Sequence, residues 1–168
     1  MNIDFHNHFY PKAYIDELSK GGGYARVERD EQGRLLVHYE GDYNIVVGPH
    51  IDIDARLKAM DRCGVDMHLL TLTTPSVERE SPEKGIKLAQ LANDGFSKVV
   101  EEHPDRFHAL AALPLQAPEA AADELEKCAE VKVVSLFTGA LGAPGSSAED
   151  YLGVMRRNID LIVDAVDG

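Results

Sequence analysis

From residue 54 onward, short apolar runs rich in β-branched residues alternate with longer segments of helical period, and this alternation constrains the fold more than any other feature of the chain. A strand that is apolar on both faces needs cover on both, and an amphipathic helix after each strand supplies it. The pattern therefore predicts an α/β fold of successive βα units around a parallel sheet. Four strands are expected, at residues 2–8, 67–72, 107–113 and 131–137. Helices are expected at 54–63, where Gly64 is a natural stop, and at 81–102, where Ser81 caps, Pro82 takes the first position and Glu83 pairs with Lys87. An Ala-rich helix is expected at 118–129. After a loop of small residues, a closing helix over 147–166 carries Leu152, Met155, Ile159, Ile162, Val163 and Val166 at helical spacing.

Residues 21–43 break this rhythm. Gly21, Gly22 and Gly23 read as a flexible hinge. The runs 24–29 and 34–39 then flank Asp30, Glu31, Gln32 and Gly33 as a β-hairpin with a glycine-containing turn. An insertion after the first strand of a parallel array falls on the carboxyl-end face, so it is expected to serve as a lid or a dimer contact.

Composition excludes several partners. With 17 Lys+Arg against 29 Asp+Glu the net charge is -12, which repels phosphate backbones and anionic lipid. No apolar run approaches the ~20 residues of a bilayer span, and Met1 runs into Asp4 rather than into a basic, apolar leader. Cys63 and Cys128 have no C-x-x-C spacing and are expected as small core residues of a protein in a reducing compartment, the cytoplasm. The expected partners are a small molecule or another chain, and the 168 residues are read as a single domain, long enough to bury roughly 70% of the unfolded surface.

The sharpest chemical feature is Asp4-Phe5-His6-Asn7-His8 at the end of the first strand. Alternation along a strand sends His6 and His8 to one side, ~7 Å apart, where both can meet one cation. Asp4 shares that face and is placed to orient one histidine as an outer acceptor. The same pair also reads as two unremarkable histidines near a terminus, and the spacing leaves both readings open.

Four stretches together resemble the amidohydrolase superfamily, in the branch of aminocarboxymuconate-semialdehyde decarboxylase and the hydroxybenzoate decarboxylases. They are Asp4-Phe5-His6-Asn7-His8-Phe9-Tyr10-Pro11; the run 56–66 that begins Arg56-Leu57-Lys58 and ends Gly64-Val65-Asp66; His103-Pro104-Asp105-Arg106-Phe107; and the run 112–119 around Leu113-Pro114-Leu115-Gln116. The resemblance implies a TIM-barrel-like (βα)n fold with a divalent metal, zinc or else manganese, at its carboxyl-end face, and His6 and His8 as two of its ligands. It further implies loss of carbon dioxide from an unsaturated or aromatic carboxylate. A full barrel runs to ~250 residues or more. In the family a third ligand ends strand five, an essential histidine follows strand six and an aspartate closes strand eight, so this chain is expected to hold four or five units and to be completed as a homo-oligomer, a dimer, or by a rearranged sheet.

The other polar residues are secondary candidates. His50 lies in a loop with the reach to touch metal or substrate, and Thr73, flanked by Thr71 and Thr74, sits at the carboxyl end of the second strand. Asn44 and Arg56 are candidate substrate contacts. His68 and His108 begin their strands and are expected at the barrel bottom, roughly 15 to 20 Å from the metal face. His103 is expected to cap a helix end and His38 to be exposed. Two further functions stay open: hydrolysis of a cyclic amide or lactone with the same H-x-H strand, and a truncated, non-catalytic binding or assembly module.

Overall fold

A computed structural model describes residues 1–128 and 150–167, in two compact units, Met1–Lys127 and Cys128–Gly168. In the first unit β1 (Ile3–His8), β5 (Met67–Thr71) and β6 (Phe107–Ala109) form a parallel sheet in the order β1-β5-β6. The expected strand at 131–137 and the loop after it lie outside the described residues.

The helices between these strands follow their sequence signals. Helix α2 (Ile53–Cys63) starts at Asp52, whose carboxylate accepts from the Ala55 amide, and stops at Gly64, which takes the left-handed conformation at φ 67°. A left-handed residue costs an L side chain ~1 kcal/mol or more, so glycine is the natural terminator. Helix α3 (Pro82–Glu102) has Ser81 as its cap, accepting from the Lys84 amide, and buries Leu88, Ala89, Ala92, Phe96 and Val99. Helix α4 spans Pro118–Cys128. The core joins Phe9, Tyr10, Tyr14, Leu18, Met60, Leu70, Val77, Leu88, Phe96 and Phe107.

Three elements depart from expectation. Helix α1 (Lys12–Leu18) follows β1 directly, burying Tyr14, Ile15 and Leu18 against the core. Strand β6 ends at Ala109 rather than at 113, because the Asn93 side chain takes over from the ladder: its Oδ1 accepts from the Ala112 amide and its Nδ2 donates to the Ala112 carbonyl. The insertion is a three-stranded antiparallel sheet, β2 (Arg26–Arg29), β3 (Leu35–Tyr39) and β4 (Asp42–Val46), rather than a hairpin. Strand β4 escapes pattern reading because its polarity is inverted: Asn44 is half-buried while Tyr43 and Ile45 are exposed.

The glycines before this sheet are clamped rather than free to hinge. The Glu80 carboxylate, itself only 6% exposed, accepts from the Tyr24 and Ala25 amides at 2.9 and 3.0 Å, and Lys84 donates to the Gly21 carbonyl. A Cβ on Gly23 would collide with the Glu80 carboxylate, so this turn requires glycine.

In the second unit α5 spans Tyr151–Asp167, and Asp150 caps it by accepting from the Gly153 amide. It buries Val154 and Asn158, while Leu152, Ile159 and Val163 of the expected apolar stripe face solvent.

Candidate functional site

Strand β1 brings His6 and His8 together at its carboxyl end. Their rings stand edge to face with centroids 5.4 Å apart, so the two imidazoles share one side, as the spacing predicts. His6 is exposed and His8 half-buried. Burial holds the His8 pKa below its ordinary 6.5, and the neighbouring His6, His50 and Arg56 act in the same direction against an opposing pull from Asp4. A neutral imidazole is the form that ligates a metal.

Thr71 biases which His8 nitrogen is free. Its hydroxyl donates its one proton to the Asn7 carbonyl at 2.6 Å and lies 3.4 Å from His8 Nδ1. With that proton committed, Oγ1 faces Nδ1 as an acceptor, which favours the tautomer with Nδ1–H and leaves the Nε2 lone pair available.

Behind the pair lies Arg56, only 3% exposed. Its guanidinium donates to the Pro49 carbonyl at 2.8 Å, to Asn7 Oδ1 at 2.7 Å and to the His8 carbonyl, and Nη1 lies 2.9 Å from His68 Nδ1. It also sits over the Phe9 ring. Burial lowers its pKa to about 10, with Asp4 pulling the other way. An arginine this enclosed binds backbone and neighbours, not a substrate carboxylate, which corrects the sequence reading of Arg56.

The remaining candidates disperse around this core. Asp4 accepts from the His6 amide at 3.0 Å and places a carboxylate oxygen 3.5 Å from His68 Nε2, so it meets the His6 backbone and His68 rather than the rings of the pair. His68 is therefore linked through Arg56 to the His8 carbonyl, close to the face from which its strand position alone would remove it. His50 lies edge-on to Tyr10 with centroids 6.4 Å apart, and its pKa is lowered by burial and then by Arg56. Asn44 donates to Tyr10 Oη at 3.0 Å and to the Thr74 carbonyl at 2.6 Å, tying β4 to the end of β1 and to the loop after β5. Thr73 is half-buried in that loop, and its carbonyl accepts from the Ser76 amide. Tyr10, a residue of the first stretch with no site role expected from sequence, is the hub of this corner, and burial raises its pKa to about 12.

Other histidines and cysteines separate. His38 is half-buried rather than exposed, 3.4 Å from Glu28 and against Tyr43. His103 terminates α3 as expected, and its carbonyl accepts from the Arg106 and Phe107 amides. Cys128 is buried, but Cys63 is exposed on α2 and is no core residue. Among the described residues no three His, Cys, Asp or Glu side chains converge as a metal site, and no helix is long and apolar enough to cross a membrane.

The stretches that carry the resemblance prove largely to be joints. Arg106 donates to Asp61 at 2.8 Å and to the Asp66 carbonyl at 2.9 Å, linking the third stretch to the second, while Gln116 of the fourth donates to the Val77 carbonyl at 2.7 Å.

Comparison with known proteins gives the chain its relatives. The gamma-resorcylate decarboxylase of Rhizobium sp. (strain MTP-10005) is 45% identical over 76 residues, 45% of this chain and 23% of that protein. The 2-amino-3-carboxymuconate-6-semialdehyde decarboxylase of Dictyostelium discoideum is 29% identical over 133 residues, 76% of this chain and 37% of that protein. A crystal structure of a dihydroxybenzoic acid decarboxylase from Polaromonas sp. JS666, with bound manganese and the inhibitor 2-nitroresorcinol, superposes with a TM-score of 0.54 at 29% identity, covering 77% of this chain and 36% of that one. The chain thus spans well under half the length of these relatives. The family model described as Amidohydrolase matches residues 3–165, and the chain belongs to that family.

Proposed function

We propose that the chain carries part of the metal centre of a divalent-metal-dependent decarboxylase acting on a small aromatic or unsaturated carboxylate. The observation that carries this reading is the convergence of the His6 and His8 rings at the carboxyl end of a parallel strand, where ligands bind in α/β sheets. Two imidazoles suit a divalent ion of intermediate softness, so the donors present fit two positions of such a site. The manganese of the Polaromonas structure favours manganese beside zinc.

When bound, such an ion would act as a Lewis acid toward substrate oxygens and bring the pKa of its water toward neutral. The chain's own residues prepare for it. Burial favours the neutral form of His8, Thr71 favours the tautomer that frees Nε2, and Arg56 holds the strand end in place. His50 and Thr73 are assigned as substrate contacts, whereas Asn44 acts through Tyr10 and Thr74. The inserted sheet, tied to the end of β1, serves as a lid or as a contact to a second copy. A TIM-barrel-like array in a homo-oligomer is the architecture we assign.

One observation favours a second reading, a non-catalytic binding or assembly module: no third ligand converges on the pair among the described residues. Elemental analysis separates the two. The metal reading expects close to one manganese or zinc per chain, lost in His6→Ala/His8→Ala, and carbon dioxide release from gamma-resorcylate by the loaded protein. Wild-type protein that takes up no metal when purified with manganese and zinc present would favour the module.

A further inference from the structure

The two histidines stand on an irregular strand. Opposite β5, Asp4 faces His68 and Asn7 faces Leu70, so β1 takes three steps where β5 takes two. Strand β1 thus carries one extra residue, a β-bulge between Asp4 and Asn7, and His6 lies within it. A bulge bends its strand, re-aims the side chains it carries and leaves ladder groups without their regular partners. The direction of His6 relative to His8 then depends on what fills the gap.

Asn7 fills it. Its amide nitrogen donates to the Asp4 carbonyl at 2.9 Å and, across the ladder, to the Leu69 carbonyl at 3.1 Å. Its Oδ1 accepts from Arg56 at 2.7 Å, and its own carbonyl accepts from Thr71 at 2.6 Å. Arg56 then reaches one residue further, to the His8 carbonyl. Such a guanidinium, deeply buried among carbonyl, amide and imidazole acceptors, makes a stiff joint, because each bond left unmade would carry a desolvation cost.

We propose that Asn7 is a positioning residue for the His6–His8 pair: with Arg56 it staples the β1 bulge and so sets the angle between the two imidazoles. The residue between the histidines is therefore part of the site's machinery and not a spacer. The hydrogen bonds above set the staple, and its consequence for metal affinity rests on the metal reading of the site.

The test uses the full chain, wild type against Asn7→Ala and Arg56→Lys, with Leu88→Ala on α3 as a core-destabilised control. Two quantities are read well below each variant's melting temperature. One is the nuclear Overhauser contact between the His6 and His8 rings in metal-free protein, and the other is the Mn2+ affinity by calorimetry. The expected result is that Asn7→Ala loses the ring contact and binds Mn2+ about tenfold more weakly, while Leu88→Ala keeps both. Should Asn7→Ala not fold, Arg56→Lys, which keeps the charge but loses the fork, decides by the same readouts. An unchanged ring contact in the folded variant, or its equal loss in Leu88→Ala, would overturn the proposal. Loss of the ring contact in Asn7→Ala, in a wild type that takes up no Mn2+, would instead sustain the staple and remove the metal reading.

Discussion

His8, His50 and His68 surround one buried cation, Arg56, and burial, followed by neighbouring positive charge, lowers the pKa of each from its ordinary 6.5. Unfolded, each imidazole takes a proton near 6.5; folded, it does so only at lower pH. Between those values the unfolded chain binds more protons, so stability is complete above about pH 6.5 and falls as the pH drops below it. The melting temperature is expected to be lower at pH 5 than at pH 7.5, and scanning calorimetry across that range checks it; a flat profile would refute the assignment. A second residue-scale prediction concerns Gly64, at φ 67° with open space around it. Gly64→Ala should cost about 1 kcal/mol from backbone strain alone, measurable by urea unfolding with an unchanged m-value.

Among the elements, the inserted sheet β2-β3-β4 joins the rest of its unit through the core residues Val37 and Val46 and through a few polar ties. Glu80 holds two amides at its entrance, and Asn44 joins its last strand to Tyr10 and Thr74. Glu80→Ala leaves two amides without their acceptor at a cost of about 2 kcal/mol. Hydrogen exchange should then quicken in β2, β3 and β4 while α3 keeps its protection; uniform quickening across the unit would show that the sheet is not separately anchored. The same element shows where sequence reading fails. Helices α2 and α3 were legible because their caps, Asp52 with Gly64 and Ser81 with Pro82, act within one turn. Strand β4 was not, because the partners that draw Asn44 inward lie 34 and 30 residues away.

At the scale of the whole molecule, α5 presents Leu152, Ile159 and Val163 to solvent, at 63%, 45% and 38% exposure. If this stripe is covered in an assembly, replacing all three by Gln should lower the mass in solution while leaving the melting temperature of the isolated chain nearly unchanged. Sedimentation velocity over a range of concentrations checks this, and an unaltered distribution would show that the stripe is not the contact. The β-α alternation, the caps, the H-x-H pair and the family were all legible along the chain, because each rests on local periodicity, local backbone chemistry or a linear motif. Long-range contacts instead set the bulge of β1 at His6, the bridging of the gap by Asn7 and Arg56, the turn of Asp4 to His68 and the inward direction of Asn44. Those outcomes turn on which buried polar group finds which partner across the fold, and spacing along one chain does not encode the answer.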